Sequence, residues 1–295
     1  MDRHDELAAE FEARRARLRA IAYRMLGSAG DAEDAVQETW LRLDRTGDAG
    51  VGNLSAWLTT VVSRICLDVL RARTARREVP WGEDDPERAA GDGPEEEAVL
   101  AESVGLALLV VLDTLSPAER VAFVLHDLFA VPFDSIAAIT GRSLPAAKKL
   151  ASRARHKVRG TPALPPAEQE RHRGVVEAFL AAARGGDLGA LLGLLAPDVV
   201  RRADPATLPP GVPAELRGAR AVAEGTVLLR ERARSAVPAL VDGRPGLLVA
   251  PLGRLRYVLR VTVADGRVTA YEVIAAPERL RALDLAAPQT PPAPA

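Results

Sequence analysis

The most concentrated positive charge in the sequence lies in GRSLPAAKKLASRARHKVRG, residues 141–160. This stretch carries seven lysines and arginines and no acid, although the whole chain has a formal net charge of −1. A basic, helix-prone stretch of this kind can bind nucleic acid, a membrane surface or an acidic protein, or it can be a solvated face. The elements around it decide between these functions.

Two short helices joined by a glycine-containing turn are predicted here. VPFDSIAAITG predicts a helix that ends at Gly141, and Ser143 and Pro145 predict the start of a second, basic helix. The apolar residues expected to pack this pair together are Ile136, Ala137, Ile139, Leu144, Ala147 and Ala151. The pattern is that of a helix-turn-helix, whose second helix enters the major groove of DNA. Another helix is predicted just upstream, with a capping box of Ser116 and Glu119.

Three further segments carry unbalanced charge. Residues 31–44 have five acids and one base, and they predict a helix with Asp31 as its N-cap. Residues 64–77 have five arginines and one aspartate at the end of a long amphipathic helix. Residues 78–102 have ten acids and one base and are rich in proline and glycine, which predicts a flexible linker. Two basic helices separated by such a linker indicate two DNA contacts made by two modules.

The composition excludes several classes of protein. The single cysteine, Cys66, rules out an internal disulfide framework and a multi-cysteine zinc site, and it is expected to be a packing residue. We expect no metal and no cofactor. The N-terminal stretch is charged throughout, and no apolar run reaches the length of a membrane helix, so we expect a cytoplasmic protein without membrane contacts.

The pattern of the chain changes after residue 165. Residues 170–195 predict two helices, and strand-like segments follow. The last of them, RLRYVLRVTVADGRVTAYEVIA, predicts a hairpin with Asp265 and Gly266 at its turn. The expected fold is therefore multidomain, with all-α helical domains followed by a C-terminal α+β domain.

These motifs resemble those of the extracytoplasmic-function (ECF) sigma factors of RNA polymerase. AYRMLGSAGDAEDAVQETWLRL and LSAWLTTVVSRICLDVLRARTARRE resemble sigma region 2. DTLSPAERVAFVLHDLFAVPFDSIAAITGRSLPAAKKLASRARHKVRG resembles region 4. The remainder is similar to the SnoaL-like extension of one ECF subgroup, for which a cone-shaped, cystatin-like α+β domain is expected.

The resemblance implies a division of the chain into six segments. These are region 2 at 5–78, an acidic linker at 79–100, the region 4 helix-turn-helix at 101–160, a linker at 161–168, the SnoaL-like regulatory domain at 169–285 and a disordered tail at 286–295. It implies no enzymatic activity and no catalytic residues. The expected function is promoter-directed transcription initiation, modulated in cis by the C-terminal domain without a separate anti-sigma factor.

The resemblance also assigns partners and contact residues. Core RNA polymerase is expected to bind through its β′ clamp helices and β flap, and the residues expected near the β′ contact are Asp31, Asp34, Gln37, Glu38 and Trp40. Recognition of the −10 promoter element is expected from Asn53, Trp57, Thr60, Ser63, Arg64, Asp68, Arg71 and Arg73. Recognition of the −35 element is expected from Arg142, Ser143, Pro145, Ala146, Lys148, Lys149, Ser152, Arg153 and Arg155.

The C-terminal domain departs from its subgroup at two motifs and leaves two other functions open. A glycine-rich DGGGK-like turn is replaced by RADPATLPPGV, and NPDKL is replaced by APERL at residues 276–280. The alternatives are a stand-alone helix-turn-helix regulator and a SnoaL-type enzyme or small-ligand sensor with a DNA-binding module. An enzyme would need a convergent acid/base pair. The candidate acids are Asp198, Asp204 and Glu272, and the candidate pocket residues are Tyr257 and Tyr271.

Overall fold

The structure is a computed structural model that describes residues 3–46, 52–78, 105–208 and 211–288. The chain forms two compact units. The helical unit contains the chain before residue 105 together with residues 115–155, and the C-terminal unit contains residues 105–114 and the chain from His156 onward. The linker predicted at 79–100 lies outside the described residues.

Three helices form the first part of the helical unit: α1 (Arg3–Leu26), α2 (Ala29–Thr46) and α3 (Leu54–Glu78). Each buries one apolar face against the other two, with Ile21, Val36 and Val62 almost completely inaccessible. The prediction that Asp31 is the N-cap of α2 was wrong. Ser28 lies at that position, and its Oγ accepts a hydrogen bond from the Asp31 amide at 3.3 Å, which leaves the Asp31 carboxylate available to α3.

The helix-turn-helix follows α4 (Leu106–Asp113) and α5 (Pro117–Phe123). The predicted capping box is confirmed, since Glu119 Oε2 accepts from the Ser116 amide at 3.2 Å. After a π-helical turn at Val124–Leu128 come α6 (Phe133–Thr140) and α7 (Leu144–Arg159). Gly141 ends α6 in the left-handed conformation with φ 66°, which glycine adopts without strain.

The apolar faces of α6 and α7 are buried as predicted, with one exception. Ile136, Ile139, Ala147 and Ala151 are all buried, which closes the helix pair. Leu144 is 37% exposed, because it lies at the first position of α7 and points away from the buried stripe.

The C-terminal unit consists of one mixed sheet, several helices and α4. Its helices are α8 (Pro166–Gly185), α9 (Leu188–Leu194), α10 (Ala219–Leu228), α11 (Arg230–Ala233) and α12 (Pro277–Ala282). Its strands are β1 (Leu195–Ala203), β2 (Glu215–Arg217), β3 (Ala236–Val241), β4 (Arg244–Val249), β5 (Tyr257–Ala264), β6 (Arg267–Ile274) and β7 (Leu285–Ala286). Short 3₁₀ turns lie at Pro205–Thr207 and Pro251–Gly253.

The seven strands are ordered β2-β1-β6-β5-β4-β3-β7, and only β1 and β6 pair in parallel among the described strands. Successive residues of a strand point to opposite faces. Leu247 and Val249 of β4 therefore join a core formed with α8, α9 and α10, while Leu248 between them joins a second core. Both faces of the sheet are thus covered in its middle.

The second core contains α4, the helix that precedes the helix-turn-helix. Ala107 and Val110 of α4 are buried with Leu248, Val258 and Leu285 of the sheet. Gly253 fits tightly against α4, since a Cβ at that position would lie 2.9 Å from Leu109 Cδ1. This face of α4 is therefore buried within the C-terminal unit.

The end of α7 is also attached to the C-terminal unit. The Ala287 amide donates to the Val158 carbonyl at 2.9 Å, and the Ala163 amide donates to the Gly243 carbonyl at 2.8 Å. Of the tail predicted at 286–295, Ala286 thus belongs to β7, and residues from 289 onward lie outside the described residues. The last residues of α7, from His156 onward, therefore belong to the C-terminal unit.

Candidate nucleic-acid interface

The exposed face of α7 carries most of the residues predicted to read DNA. Its buried stripe is formed by Ala147, Leu150, Ala151, Ala154 and Val158, at three- and four-residue spacing. The opposite face exposes Arg142, Ser143, Pro145, Lys148, Lys149, Ser152 and Arg153, whereas Ala146 and Arg155 are half-buried. The structure therefore brings the predicted −35 residues together on one surface.

The basic side chains of this surface differ in their internal partners. Arg155 Nε lies 2.7 Å from Asp127 Oδ1, and Arg153 Nε lies 3.4 Å from Glu119 Oε1. Lys148 and Lys149 have no hydrogen-bond or ion-pair partner in the part of the chain that the structure describes. Their charges are solvated and available to an anionic partner such as a DNA phosphate.

The residues predicted to contact the −10 element lie on α3, and several have internal roles. Asn53 caps the helix, with its Oδ1 accepting from the Ala56 amide at 3.0 Å. Arg64 Nη2 donates to the Ala138 carbonyl of α6 at 3.1 Å. Arg73 donates to Asp31 Oδ2 at 2.6 Å and to the Leu26 carbonyl at 2.9 Å.

The other predicted −10 residues divide between surface and core. Asp68 and Arg71 are exposed, with a 3.7 Å separation between Arg71 Nη1 and Asp68 Oδ1. Trp57 and Thr60 are half-buried, and Ser63 is completely buried. In this conformation Ser63 does not share the exposed face of the other residues.

On the acidic face of α2, two of the five residues predicted to bind polymerase have no internal partner among the described residues. Asp34 and Gln37 have no side-chain hydrogen bond or ion pair within the described chain. Glu38 pairs with Arg42 at 2.9 Å, and Asp31 is held by Arg73. The Trp40 ring is tilted against Phe11, with 5.1 Å between the ring centroids.

Comparison with known proteins identifies the family to which this chain belongs. The family described as Sigma-70 region 2 matches residues 11–76, and Sigma-70, region 4 matches residues 105–158. The ECF RNA polymerase sigma factor SigJ of Mycobacterium tuberculosis H37Rv is 40% identical over 287 residues, which cover 92% of each chain. The chain belongs to the ECF sigma factors.

Two further comparisons cover almost the same length of this ECF sigma factor. The probable ECF sigma factor SigI of M. tuberculosis CDC 1551 is 36% identical over 95% of this chain and 97% of its own length. The crystal structure of M. tuberculosis SigJ aligns with 37% identity over 92% of this chain and 98% of that chain, with a TM-score of 0.44.

Family membership gives the function at the level of the whole protein. This ECF sigma factor is a transcription initiation factor that binds core RNA polymerase and directs it to promoter DNA, and it is not an enzyme. The predicted fold class is confirmed as two helical sigma regions followed by a C-terminal α+β region built on a mixed sheet. No helix within the described ranges is long and apolar enough to cross a membrane.

Two of the three candidate acids of the C-terminal unit, Asp204 and Glu272, form an ion-pair network with Arg279. Arg279 of α12 donates to Asp204 Oδ1 and to Glu272 Oε1, both at 2.6 Å. The amides of Ala275 and Ala276 donate to Asp204 Oδ2 at 2.8 and 3.0 Å. Burial raises the pKa of Asp204, but these donors outweigh it and hold the pKa below its ordinary value. The network anchors the APERL segment to the end of β1.

The remaining candidates do not complete an acid/base site. Asp198 is exposed, whereas Tyr257 and Tyr271 line a cavity between α8 and the sheet. Across the described residues no three His, Cys, Asp or Glu side chains are grouped so as to hold a metal ion. Cys66 is buried in the helical unit, and desolvation raises the pKa of its thiol to about 12, so it remains an unreactive packing residue.

Sequence reasoning missed two buried arginines. Arg120 of α5 is 3% exposed and lies against the Arg24 carbonyl at the end of α1, 3.4 Å from its Nη2. Arg201 of β1 is 1% exposed. The alternation in β1 contained the signal for Arg201, because Val199 and Ala203 flank it on the inward face.

Proposed function

We propose that this sigma factor reads the −35 element with the exposed face of α7, opens and reads the −10 element with α3, and docks on the β′ clamp helices through the acidic face of α2. The observation that carries the proposal is a pair of exposed lysines near the start of the recognition helix, Lys148 and Lys149, which have no partner among the described residues. Residues near the start of such a helix reach base edges, and lysines and arginines along it contact phosphates.

The −35 surface comprises the residues assigned to it from the sequence, but we expect these residues to contribute unequally to the affinity for DNA. Lys148 and Lys149, together with Arg142 and Ser143 at the start of the helix, are free to make new contacts. Arg153 and Arg155 would first have to give up their pairing with Glu119 and Asp127. We therefore expect most of the affinity for the −35 element to come from the N-terminal half of α7.

The −10 surface requires a rearrangement of the helical unit. The hydrogen bond from Arg64 to the Ala138 carbonyl joins the predicted −10 helix to the first helix of the helix-turn-helix. Arg17 and Arg24 of α1 further clamp the Phe129 ring, with 5.5 and 5.2 Å between each guanidinium carbon and the ring centroid. We propose that core polymerase, with its β flap engaging region 4, separates these contacts so that the two DNA surfaces reach spaced promoter elements.

The C-terminal domain is proposed to modulate this activity in cis, without a separate anti-sigma factor. The supporting observation is that α4 of region 4 forms one core with the sheet, and that α7 ends on a backbone bond to Ala287. The segments predicted from the sequence are proposed with two changes, because α8 already begins at Pro166 and Ala286 belongs to β7.

The experiment that tests the sigma activity is transcription with purified core polymerase on a promoter with spaced −35 and −10 elements. The full chain and versions ending near residues 165 and 280 are compared. A specific transcript that depends on the added protein is the expected result. The proposal fails if no version of the protein gives a specific transcript.

A matched pair of glycine substitutions tests the modulation in cis. Gly253 and Gly266 both have positive φ, 77° and 71°, so alanine strains both by about 1–2 kcal/mol. Only at Gly253 would the new Cβ press on Leu109 of α4, because nothing lies within 4 Å of a Cβ at Gly266. We expect Gly253→Ala to change the transcript yield and Gly266→Ala to leave it unchanged. Equal yields from both variants would contradict modulation through α4.

A further inference from the structure

The cavity of the C-terminal unit lies between α8 and the inner face of the sheet. Its walls are mostly apolar, with Phe179 and Leu180 on the helix side and Leu247 and Val249 on the sheet side. The space that the centres of water molecules can occupy inside it is about 70 Å³. Since about 10–15 Å³ of this measure hold one water, the cavity has room for several non-hydrogen atoms.

A buried cation points into this cavity. Arg201 occupies an inward position of β1 and is 1% exposed. Its Nη2 donates to the Pro213 carbonyl, but its Nε and Nη1 have no hydrogen-bond partner in the part of the chain that the structure describes. A guanidinium offers five donors in a fixed fork, and an unpaired buried charge is strongly destabilising. Nε and Nη1 carry three of these five N–H donors, and all three are unused at a buried position in the cavity lining.

The other polar groups of the cavity wall do not neutralise Arg201. Tyr271 and Thr226 share a hydrogen bond of 2.8 Å between their hydroxyls. Arg232 donates to the Thr207 carbonyl and adds a second positive charge to the lining. The cavity lining contains two arginines and no acid among the described residues. The charged groups in the cavity lining are therefore all positive among the described residues.

We propose that this cavity binds a small organic carboxylate with an apolar body. The carboxylate pairs with the charge of Arg201 and accepts hydrogen bonds from its unused N–H donors. The apolar body lies among Phe179, Leu247 and Val249, where it loses contact with water. Such a ligand uses two features of the site, the unused donors of Arg201 and the mostly apolar wall.

The proposal rests on the cavity of the C-terminal unit and is independent of the promoter contacts. Binding is measured on the purified full chain without polymerase or DNA. A failure here leaves the sigma activity unaffected, and a failure in transcription leaves the binding measurement unaffected.

Hexanoate and benzoate are the probes, and hexanamide and benzamide are their neutral controls of nearly the same shape. Isothermal calorimetry and the shift in melting temperature are recorded for each. We expect at least one acid to bind about tenfold or more tightly than its amide, because only the acid pairs with the Arg201 charge. If neither acid binds more tightly than its amide, the proposal is overturned.

Variants of β1 locate the binding. Arg201→Met replaces the buried charge with an apolar chain of similar length, which is expected to preserve the fold and abolish the preference for the acid. Arg202→Met changes the next residue, whose exposed side chain pairs with Glu215 on the other face, and is expected to keep the preference. Retention of the preference by Arg201→Met would overturn the proposal.

A second Arg201 variant keeps the test decisive if Arg201→Met fails to fold. Arg201→Lys retains the positive charge but has a shorter side chain with fewer donors, so it is expected to bind the acid about tenfold more weakly than the wild type while still preferring it to the amide. Unchanged affinity of Arg201→Lys for the acid would contradict the pairing with Nε and Nη1.

Discussion

The two helices proposed to contact promoter DNA differ in how their charged side chains are used in the free protein. On α3, Arg64 and Arg73 are bonded to the Ala138 carbonyl and to Asp31. On α7, Lys148 and Lys149 are exposed without partners in the described chain. Internally paired charges stabilise the fold, whereas exposed unpaired charges are available to a partner. Basic composition alone therefore does not identify the DNA-reading residues.

The largest expected effect is a loss of DNA affinity when the lysines of α7 that have no partner in the described chain are replaced. Lys148→Ala/Lys149→Ala is expected to weaken binding of the holoenzyme to promoter DNA about 100-fold, since two contacts of about 1–3 kcal/mol each are lost. Thermal stability should not change, because neither lysine has an internal partner within the described chain. Fluorescence anisotropy on labelled promoter DNA and a melting curve measure the two quantities.

Arg153→Ala/Arg155→Ala is the matched control, because it removes the same charge from the same helix. It leaves Glu119, whose side chain is only 7% exposed, without its ion pair to Arg153. We therefore expect a loss of stability and a smaller loss of DNA affinity. If both double variants lose DNA affinity equally, the distinction between paired and unpaired charges is contradicted.

A paired carboxylate of the C-terminal unit should affect stability alone. Asp204→Asn removes the acceptor charge for Arg279 and for two backbone amides, and it is expected to cost about 2 kcal/mol at pH 7. The lowered pKa of Asp204 means that its contribution is complete above the ordinary aspartate pKa near about 4 and is lost as the pH falls below it. Scanning calorimetry at pH 7 and at lower pH measures the difference.

The pH dependence is the decisive part of that prediction. The wild type and Asp204→Asn should differ most at pH 7 and converge in acid, while promoter binding at pH 7 stays the same for both. A stability difference that does not change with pH would show that the carboxylate charge is not what holds α12 to the sheet.

The smallest expected effect lies on the acidic face of α2. Asp34→Lys is expected to weaken binding to core polymerase about tenfold, because Asp34 is exposed and unpaired within the described chain. Glu38→Lys should have a smaller effect, since Glu38 already pairs with Arg42. Competition for core polymerase measures both variants. Binding of isolated −35 DNA should be unaffected, and equal loss of both activities would indicate that region 2 had unfolded.

The sequence predicts the parts of the fold that local chemistry determines. The Ser116 capping box, the left-handed Gly141 and the hairpin at Asp265 and Gly266 are all present, with φ values of 50° and 71° at the hairpin turn. Each of these depends on residues within four positions of one another. The helix-turn-helix and the last hairpin can therefore be located from the sequence alone.

Elements that depend on distant partners could not be predicted. Strand β3 is hard to recognise in the sequence because Pro238 interrupts its pattern, although the structure accommodates this proline opposite Leu247 in the pairing with β4. The burial of Val110 in α4 against Leu248 joins residues far apart in the sequence. The hydrogen-bond partners of Arg64, Arg73 and Arg201 could not be predicted from the sequence for the same reason. These partners determine which charged side chains of the candidate sites are available to a ligand.

The most direct test of the central claim is a double-mutant cycle between α7 and the −35 element. Holoenzyme with wild-type protein or with Lys148→Ala/Lys149→Ala transcribes a promoter with an intact or a scrambled −35 element. If α7 reads this element through the two lysines, scrambling reduces the wild-type yield strongly and changes the yield of the variant little. If the two changes reduce the yield by independent, multiplying factors, the lysines do not read the −35 element and the account is contradicted.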